Sequence, residues 1–285
     1  LKRSFSEYFF PEGDFIIQGE SEILYNIIED NNGFSKIEGL GNLENLNLQS
    51  DFLGPNLDFN NGKLRFLIRP YDNSFSGFAD IKTNNLNVEV NSIFNLTELI
   101  ELDVQTFKSP KQDFNLKYEG ENNKFSINAD KLSLDSIDIF EEDNLKIENF
   151  ELDLKINDFK IGDMNFSNSI LYAKKLNNVF QKISVSLVGE NDFHKLSISE
   201  KETNKEFILE SNYIPGLLNI LDLDFNINKG SIKIEGLKKE NSENYEGAIA
   251  GKNIVFFDAP FLANFFSIFS LDGFAQKLKD GGIIF

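Results

Sequence analysis

The residue types that most often carry enzyme chemistry are scarce in this chain of 285 residues. It contains no cysteine, and its one histidine is His194. Thiol catalysis and disulfides are therefore excluded, and so are a histidine-based triad and a metal site built from several histidines. His194 stands in a polar segment, where we expect it to be a solvated surface residue.

Acidic residues are abundant, but they form no catalytic or metal-binding pattern. Residues 222–226 begin like a calcium loop, yet Ile227 occupies the position that needs glycine and Lys233 the position that needs glutamate. We interpret this stretch as the polar side of a strand and residues 141–143 as a solvated turn. No pattern brings two carboxyl groups into an apolar pocket, as acid–base catalysis would require. The sequence therefore predicts a protein that is not an enzyme, with no catalytic residue, cofactor or metal.

Charge limits the range of partners. The chain has 46 acidic and 28 basic residues and a formal net charge of -18. Such a chain repels phosphate backbones, so we expect no nucleic-acid partner. An anionic membrane surface is repelled as well, unless local basic or apolar patches override the net charge. The 30 phenylalanines are consistent both with AT-rich codon usage and with a wide apolar lining.

Most of the chain alternates apolar and polar residues with a period of two, which is typical of strands with one buried face. The runs are about five to seven residues long, and turn-forming segments separate them at residues 31–33, 60–62, 121–123 and 228–230. About 18 strands with short connections predict an antiparallel meander. The residues that we expect on its apolar face are Phe125, Ile127, Leu132, Leu134, Leu152, Leu154, Ile156, Ile183, Val185 and Leu187.

The predicted fold class is mostly β, an elongated and curled antiparallel sheet with a few short helices. A sheet this long with one apolar face can fold into a sandwich, close on itself, or curl into a trough filled by something apolar. Helical patterns cover residues 21–31 and 214–221, and residues 92–99 are ambiguous. The clearest helix begins near the C-terminus at Asp258, which we expect to be its N-cap, just before Pro260.

The apolar run around this last helix is too short to span a bilayer. Residues 254–257 and 261–271 are separated by Asp258 and Pro260, and the run falls short of the roughly 20 residues that a spanning helix needs. We therefore expect any membrane anchor to lie outside this chain.

The order of motifs near the C-terminus resembles the AsmA-like C-terminal region of large bacterial envelope proteins related to YhdP and TamB. Residues 216–221, 228–236 and 245–254 are followed by D-A-P-F-L-A, S-L-D-G-F and G-I-I-F elements. The motif residues are Asp258, Ala259, Pro260, Gly273, Gly282 and Phe285. The match covers residues 211–285, and residues 1–210 share only the strand pattern and acidity with that family.

The resemblance implies that residues 1–210 form a repetitive β-sheet groove and that residues 211–285 are a motif region that continues the same sheet. It also implies that the chain is part of a longer protein. It implies a periplasm-facing chain, anchored to the inner membrane, that binds phospholipid acyl chains. Its expected function is phospholipid transport between the inner and outer membranes and envelope integrity, with other envelope proteins as partners. Phenylalanines lie on several sides of the helix after Pro260, which favours a buried plug over a helix that lies against lipid tails. The alternative is a structural or interaction module, such as an adhesin-like β-sandwich, with no lipid conduit.

Overall fold

The computed structural model describes residues 16–30, 33–50, 53, 57, 59, 61–134, 148–201, 204–220, 227–239 and 245–256. Seventeen strands, one α-helix and a 3-10 turn at Gly120–Asn122 lie in these residues. They are β1 (Ile16–Gly19), β2 (Glu22–Asp30), β3 (Gly33–Asn42), β4 (Leu46–Gln49), β5 (Lys63–Tyr71), β6 (Ser74–Lys82), β7 (Asn87–Phe94), β8 (Leu99–Lys108), β9 (Asp113–Glu119), β10 (Lys124–Leu134), β11 (Phe150–Ile161), β12 (Met164–Leu176), β13 (Val179–Val188), β14 (Phe193–Lys201), β15 (Asn204–Ser211), α1 (Ile214–Ile220), β16 (Ile227–Lys239) and β17 (Tyr245–Phe256).

Strand pairing follows the order of the chain. Fifteen strands form one open sheet, from β2 at one edge to β17 at the other, and β1 pairs with β4 in a separate two-stranded sheet. Because β4 lies outside the main sheet, β3 pairs directly with β5. The predicted fold class, mostly β with an open antiparallel sheet and few helices, is confirmed. The chain divides into two compact units, Leu1–Ser133 (unit 1) and Leu134–Phe285 (unit 2).

Turn chemistry explains why neighbouring strands pair. Asn177 and Asn178 connect β12 to β13 with φ angles of 50° and 62°, as a two-residue hairpin turn of the type I′ form requires. In the longer connection after β7, the side chain of Asn95 accepts hydrogen bonds from the N–H groups of Thr97 and Glu98 at 2.8 and 3.0 Å. Asparagine thus supports both reversals, by adopting positive φ angles in one and by accepting backbone hydrogen bonds in the other.

Two sequence predictions of local structure are wrong. Within the predicted helix at residues 21–31, Glu22–Asp30 form strand β2. This strand lies at the sheet edge with apolar residues on both faces, and that pattern imitates helical spacing. Residues 228–230 lie inside β16, where Gly230 has φ 134° at a register shift, so this glycine forms a bulge in a continuous strand and not a turn.

The remaining predictions of helices and strands are confirmed, modified by the structure, or lie outside the described residues. The helix predicted at residues 214–221 is confirmed by α1. The ambiguous residues 92–99 are the end of β7, a turn and the start of β8. Several strands are longer than predicted, up to 13 residues in β12 and β16. The expected helix at Asp258, the six motif residues, and residues 141–143 and 222–226 lie outside the described residues.

The one α-helix in the described part of the chain, α1, has seven residues. No described helix combines the length and the apolar character that crossing a membrane requires.

Candidate functional site

Cross-strand register in unit 1 aligns apolar residues into three rows on one side of the sheet. Residues directly opposite each other on paired strands point to the same face. The first row is Ile23, Gly41, Leu64, Ile81, Val88, Phe107, Phe114 and Ala129. The second row is Tyr25, Gly39, Phe66, Ala79, Val90, Val104, Leu116 and Ile127. The third row is Ile27, Ile37, Ile68, Gly77, Ser92, Leu102, Tyr118 and Phe125. We call this surface the unit 1 apolar face.

Other residues of unit 1 cover the first row. Leu64, Ile81, Val88 and Phe107 pack against a buried cluster formed by Leu43, Leu48, Leu53, Leu57, Phe59 and Leu86. Leu48 lies on β4, so the segment that leaves the main sheet after β3 folds back over this end of the apolar face.

The second and third rows are only partly covered. At the β2 end, Tyr25 is 63% exposed and Ile27 is 58% exposed. Phe66, Ile68 and Val90 are half-buried. An apolar strip therefore remains accessible to solvent across β2–β7.

Aromatic packing across neighbouring strands builds much of this face. The rings of Phe107 and Phe114 stack with their centroids 4.6 Å apart, and those of Tyr118 and Phe125 stack at 4.7 Å. The ring of Phe66 occupies the space that a Cβ at Gly39 would need. Glycine in the second row thus lets an aromatic ring lie against the backbone of the next strand.

Unit 2 carries a corresponding surface, the unit 2 apolar face, across β11–β17. One row is Leu152, Ala173, Ile183, Ile198, Phe207, Gly236 and Gly247. The next row is Leu154, Leu171, Val185, Leu196, Leu209, Ile234 and Ile249. A third, shorter row is Leu187, His194, Ser211, Ile232 and Gly251.

Helix α1 covers the central part of the unit 2 apolar face. Ile214, Leu217 and Leu218 of the helix form one buried cluster with residues of β14–β16, and Ile183 and Val185 pack against it. The helix has so few residues that its stability must come from this packing. Where α1 packs on β14–β16, the apolar face is therefore buried and leaves no surface for a ligand.

The ten residues predicted to line the apolar face fall into two groups. Phe125 and Ile127 lie in the unit 1 rows, and Leu132 and Leu134 lie beyond the irregularity between Ala129 and Lys131 of β10. Of the unit 2 residues, Leu152, Leu154, Ile183, Val185 and Leu187 lie in the rows defined above, and Ile156 lies opposite Ser169.

Several of these predicted residues are buried, so the accessible strip lies elsewhere. Leu154 is 8% exposed, and Ile156 and Leu187 are more buried still. The accessible strip lies on β2–β7, and none of the ten predicted residues lies on those strands. The alternation at Phe66 and Ile68, and around Val90, already indicated apolar residues at these positions.

The expectation that His194 is a solvated surface residue is wrong. It is 3% exposed, and its Nδ1 lies 2.9 Å from the hydroxyl of Ser211. Burial lowers the pKa of His194 below its ordinary value of 6.5, and the carboxylate of Asp192, 3.6 Å from Nε2, opposes this effect without overcoming it. The histidine is therefore held in its neutral form at neutral pH.

The opposite side of the unit 1 sheet is polar and carries a buried carboxylate. Asp80 accepts a hydrogen bond from Nε of Arg65 at 2.9 Å and forms an ion pair with Lys82 at 3.3 Å. Burial raises the pKa of Asp80, but the hydrogen bonds and charges of the two basic residues outweigh it, leaving the pKa below 3.8. This cluster is an ion-paired structural element of the polar side.

Within the described ranges, no group of three or more His, Asp or Glu side chains could hold a metal ion. No protein-family model, curated protein or solved structure matches this chain.

Proposed function

We propose that the unit 1 apolar face binds the acyl chains of phospholipids. The chain would be a periplasm-facing groove segment of an AsmA-like envelope protein. It would take part in phospholipid transport between the inner and outer membranes, together with other envelope proteins and an inner-membrane anchor outside this chain. The observation that carries the proposal is the apolar strip of the second and third rows, which remains accessible across β2–β7.

The strip has dimensions suited to a hydrocarbon chain. Neighbouring strands are about 4.8 Å apart, so the five adjacent strands that carry the strip, β2, β3, β5, β6 and β7, span about 19 Å. One leaflet of a bilayer core is about 15 Å thick, half of roughly 30 Å. An extended acyl chain lying across the strands would therefore contact about three or four of these five strands.

The chemistry of the strip matches that of its proposed ligand. In the second and third rows, the side chains with polar atoms are Tyr25, Ser92 and Tyr118, and none is charged. A methylene chain needs no hydrogen-bond partner, and burying its apolar surface contributes about 25 cal/mol per Å². Exposed apolar patches larger than a few hundred Å² are typical of binding surfaces.

A β-sandwich module, the alternative function, would need a second sheet packed over the same face at about 10 Å. In the described residues, β4 with the residues after it packs on the first row of unit 1, and α1 packs on unit 2. Neither element covers the second and third rows at β2–β7. This partial cover supports the lipid-binding proposal over a sandwich core.

The proposal is tested with Val90→Asp, which places a charge in the second row. Leu154, although predicted to be lipid-facing, is a poor choice because it is buried, and a charge there would destabilise the fold by several kcal/mol. We expect the purified wild-type chain to take up a phosphatidylethanolamine with a fluorescent acyl chain from vesicles. Val90→Asp should reduce this uptake at least fivefold. Mass spectrometry of organic extracts should show a parallel loss of co-purified phospholipid.

Ser76→Asp is the matched control. It adds the same charge at another half-buried position, on the polar side beside Arg69, and should leave uptake unchanged. Circular dichroism and a thermal melt establish that both variants are folded. If the folded Val90→Asp variant takes up lipid like the wild type, or if the wild type binds none, the proposal is rejected.

A further inference from the structure

Strand β2 is the last strand of its sheet, and its outer edge pairs with no other described strand. The outer backbone groups of an edge strand form a template for another strand. Proteins commonly protect such edges with lysine or proline. Residues 22–30 contain neither, although one register irregularity lies between Ile28 and Glu29.

This edge carries exposed apolar side chains on both faces of the sheet. Tyr25 and Ile27 belong to the unit 1 apolar face. On the polar side, Leu24 is 67% exposed and its cross-strand partner Leu40 is 61% exposed. The next residue inward in that row is Arg65, which pairs with Asp80. Further inward on this side, Leu67 and Phe78 are only half-buried, so the exposed leucines of the polar side lie on the outermost two strands.

We propose that β2 binds an extended segment of another protein as an added strand. A strand in this position projects side chains to both faces and so packs against Leu24, which itself lies beside Leu40, on one side and against Tyr25 and Ile27 on the other. A docked helix would cover one face only. Strand addition also supplies partners for the outer backbone groups of β2.

Charge decides what kind of strand fits. Glu22 and Glu29 lie near the two ends of β2, both exposed, and the strand has no basic residue. The partner strand therefore carries lysine or arginine near both ends and apolar residues on both faces between them. Opposite charges on paired strands are stabilising, and like charges directly opposite are destabilising.

The same charges argue against a second copy of this chain as the partner. Antiparallel pairing of β2 with itself about Asn26 would bring the end with Glu22 beside the end with Glu29. Parallel pairing would bring each glutamate beside its own copy. Both arrangements place like charges together, between two chains whose net charge is -18.

The experiment measures fluorescence anisotropy of a labelled nine-residue peptide mixed with the 285-residue chain. The peptide has isoleucine and threonine at its seven central positions and lysine at both ends. We expect saturable binding that weakens at least tenfold in the double variant Leu24→Ser/Leu40→Ser. A tenfold loss is also expected in Glu22→Lys/Glu29→Lys, and for a peptide with glutamate at both ends. Methylating alternate backbone nitrogens on the pairing edge of the peptide should abolish binding, because those N–H donors are lost.

Leu96→Ser is the matched control, since Leu96 is 93% exposed in the turn after β7 and should not affect peptide binding. Leu24→Ser/Leu40→Ser should retain lipid uptake, because these residues lie on the side opposite the unit 1 apolar face. This readout separates a failure of the edge proposal from a failure of lipid binding. Absence of saturable binding, or binding insensitive to the end charges or to Leu24→Ser/Leu40→Ser, would overturn the proposal. So would a concentration-dependent dimer of the wild-type chain that this double variant abolishes.

Discussion

At the scale of single residues, burial depends more on the face of the sheet to which a residue points than on the polarity of its neighbours in sequence. His194 has polar neighbours in sequence, which predicted exposure. It stands two residues before Leu196, however, and four before Ile198, on the face of β14 that packs against α1. The alternation along β14 therefore allowed the burial of His194 to be predicted. Its hydrogen bond to Ser211 could not be predicted, because this bond depends on the register between β14 and β15.

The lowered pKa of His194 predicts how stability depends on pH. A histidine whose pKa is lower in the folded than in the unfolded state binds fewer protons when folded, so stability rises with pH in that range. Its contribution should be fully present above about pH 6.5 and should be lost as the pH falls from there through the folded-state pKa. Urea unfolding midpoints measured from pH 8 to pH 5 should fall over this window.

His194→Gln, which cannot titrate, is the control for this effect. Its urea midpoint should change less between pH 7 and pH 5 than that of the wild type. The carboxyl groups make the same pH-dependent contribution to the stability of both proteins, so the difference isolates His194. Identical pH profiles of the two proteins would show that His194 does not carry the effect.

A second prediction at the residue scale concerns the hairpin turn between β12 and β13. Asn178 has φ 62°, a conformation that costs ordinary L-residues roughly 1–2 kcal/mol. Asn178→Gly should preserve or slightly raise the thermal midpoint, because glycine adopts this conformation without strain. Asn178→Val should lower stability by about 1–2 kcal/mol. Equal midpoints for the two variants would contradict this account of the turn.

At the scale of elements, the strands were largely predictable and their exceptions have physical causes. Period-two alternation and asparagine-rich turns indicated the meander correctly. Strand β2 was mistaken for a helix because an edge strand with two apolar faces has no clear alternation. Gly230 was mistaken for part of a turn because a bulge uses the same positive φ. The cover provided by β4 and α1 could not be predicted, since alternation reveals that a face is apolar but not what packs against it.

The packing of α1 on the unit 2 apolar face can be tested with Leu218→Ala. Leu218 is buried in the cluster between the helix and β14–β16, and truncating a buried leucine costs about 2–5 kcal/mol. Urea unfolding should show a loss in this range. Asn219→Ala, at an exposed position of the same helix, should change stability by less than about 0.5 kcal/mol. Similar effects of both substitutions would argue against this docking of α1.

At the scale of the whole molecule, an acidic net charge coexists with an accessible apolar strip. The charge of -18 keeps the chain away from anionic surfaces, while the strip favours contact with hydrocarbon. The two influences act over different distances. Electrostatic repulsion reaches about 10 Å at 0.1 M salt and about 3 Å at 1 M, whereas apolar contact needs direct approach.

This difference predicts how lipid uptake depends on vesicle charge and salt. With vesicles rich in phosphatidylglycerol, uptake of the fluorescent lipid should be slow at low salt, because the chain must approach a surface of its own sign. Raising the salt from 0.05 M to 0.5 M should accelerate it severalfold as the repulsion is screened. With zwitterionic phosphatidylcholine vesicles, the same change should have little effect, which isolates the surface charge from any effect of salt on the protein. Stopped-flow measurement of the uptake rate on both vesicle types provides the comparison.

If salt slows uptake from the anionic vesicles, a local basic site must attract the membrane despite the net charge. If salt changes neither rate, desorption of the lipid and not approach of the protein limits uptake.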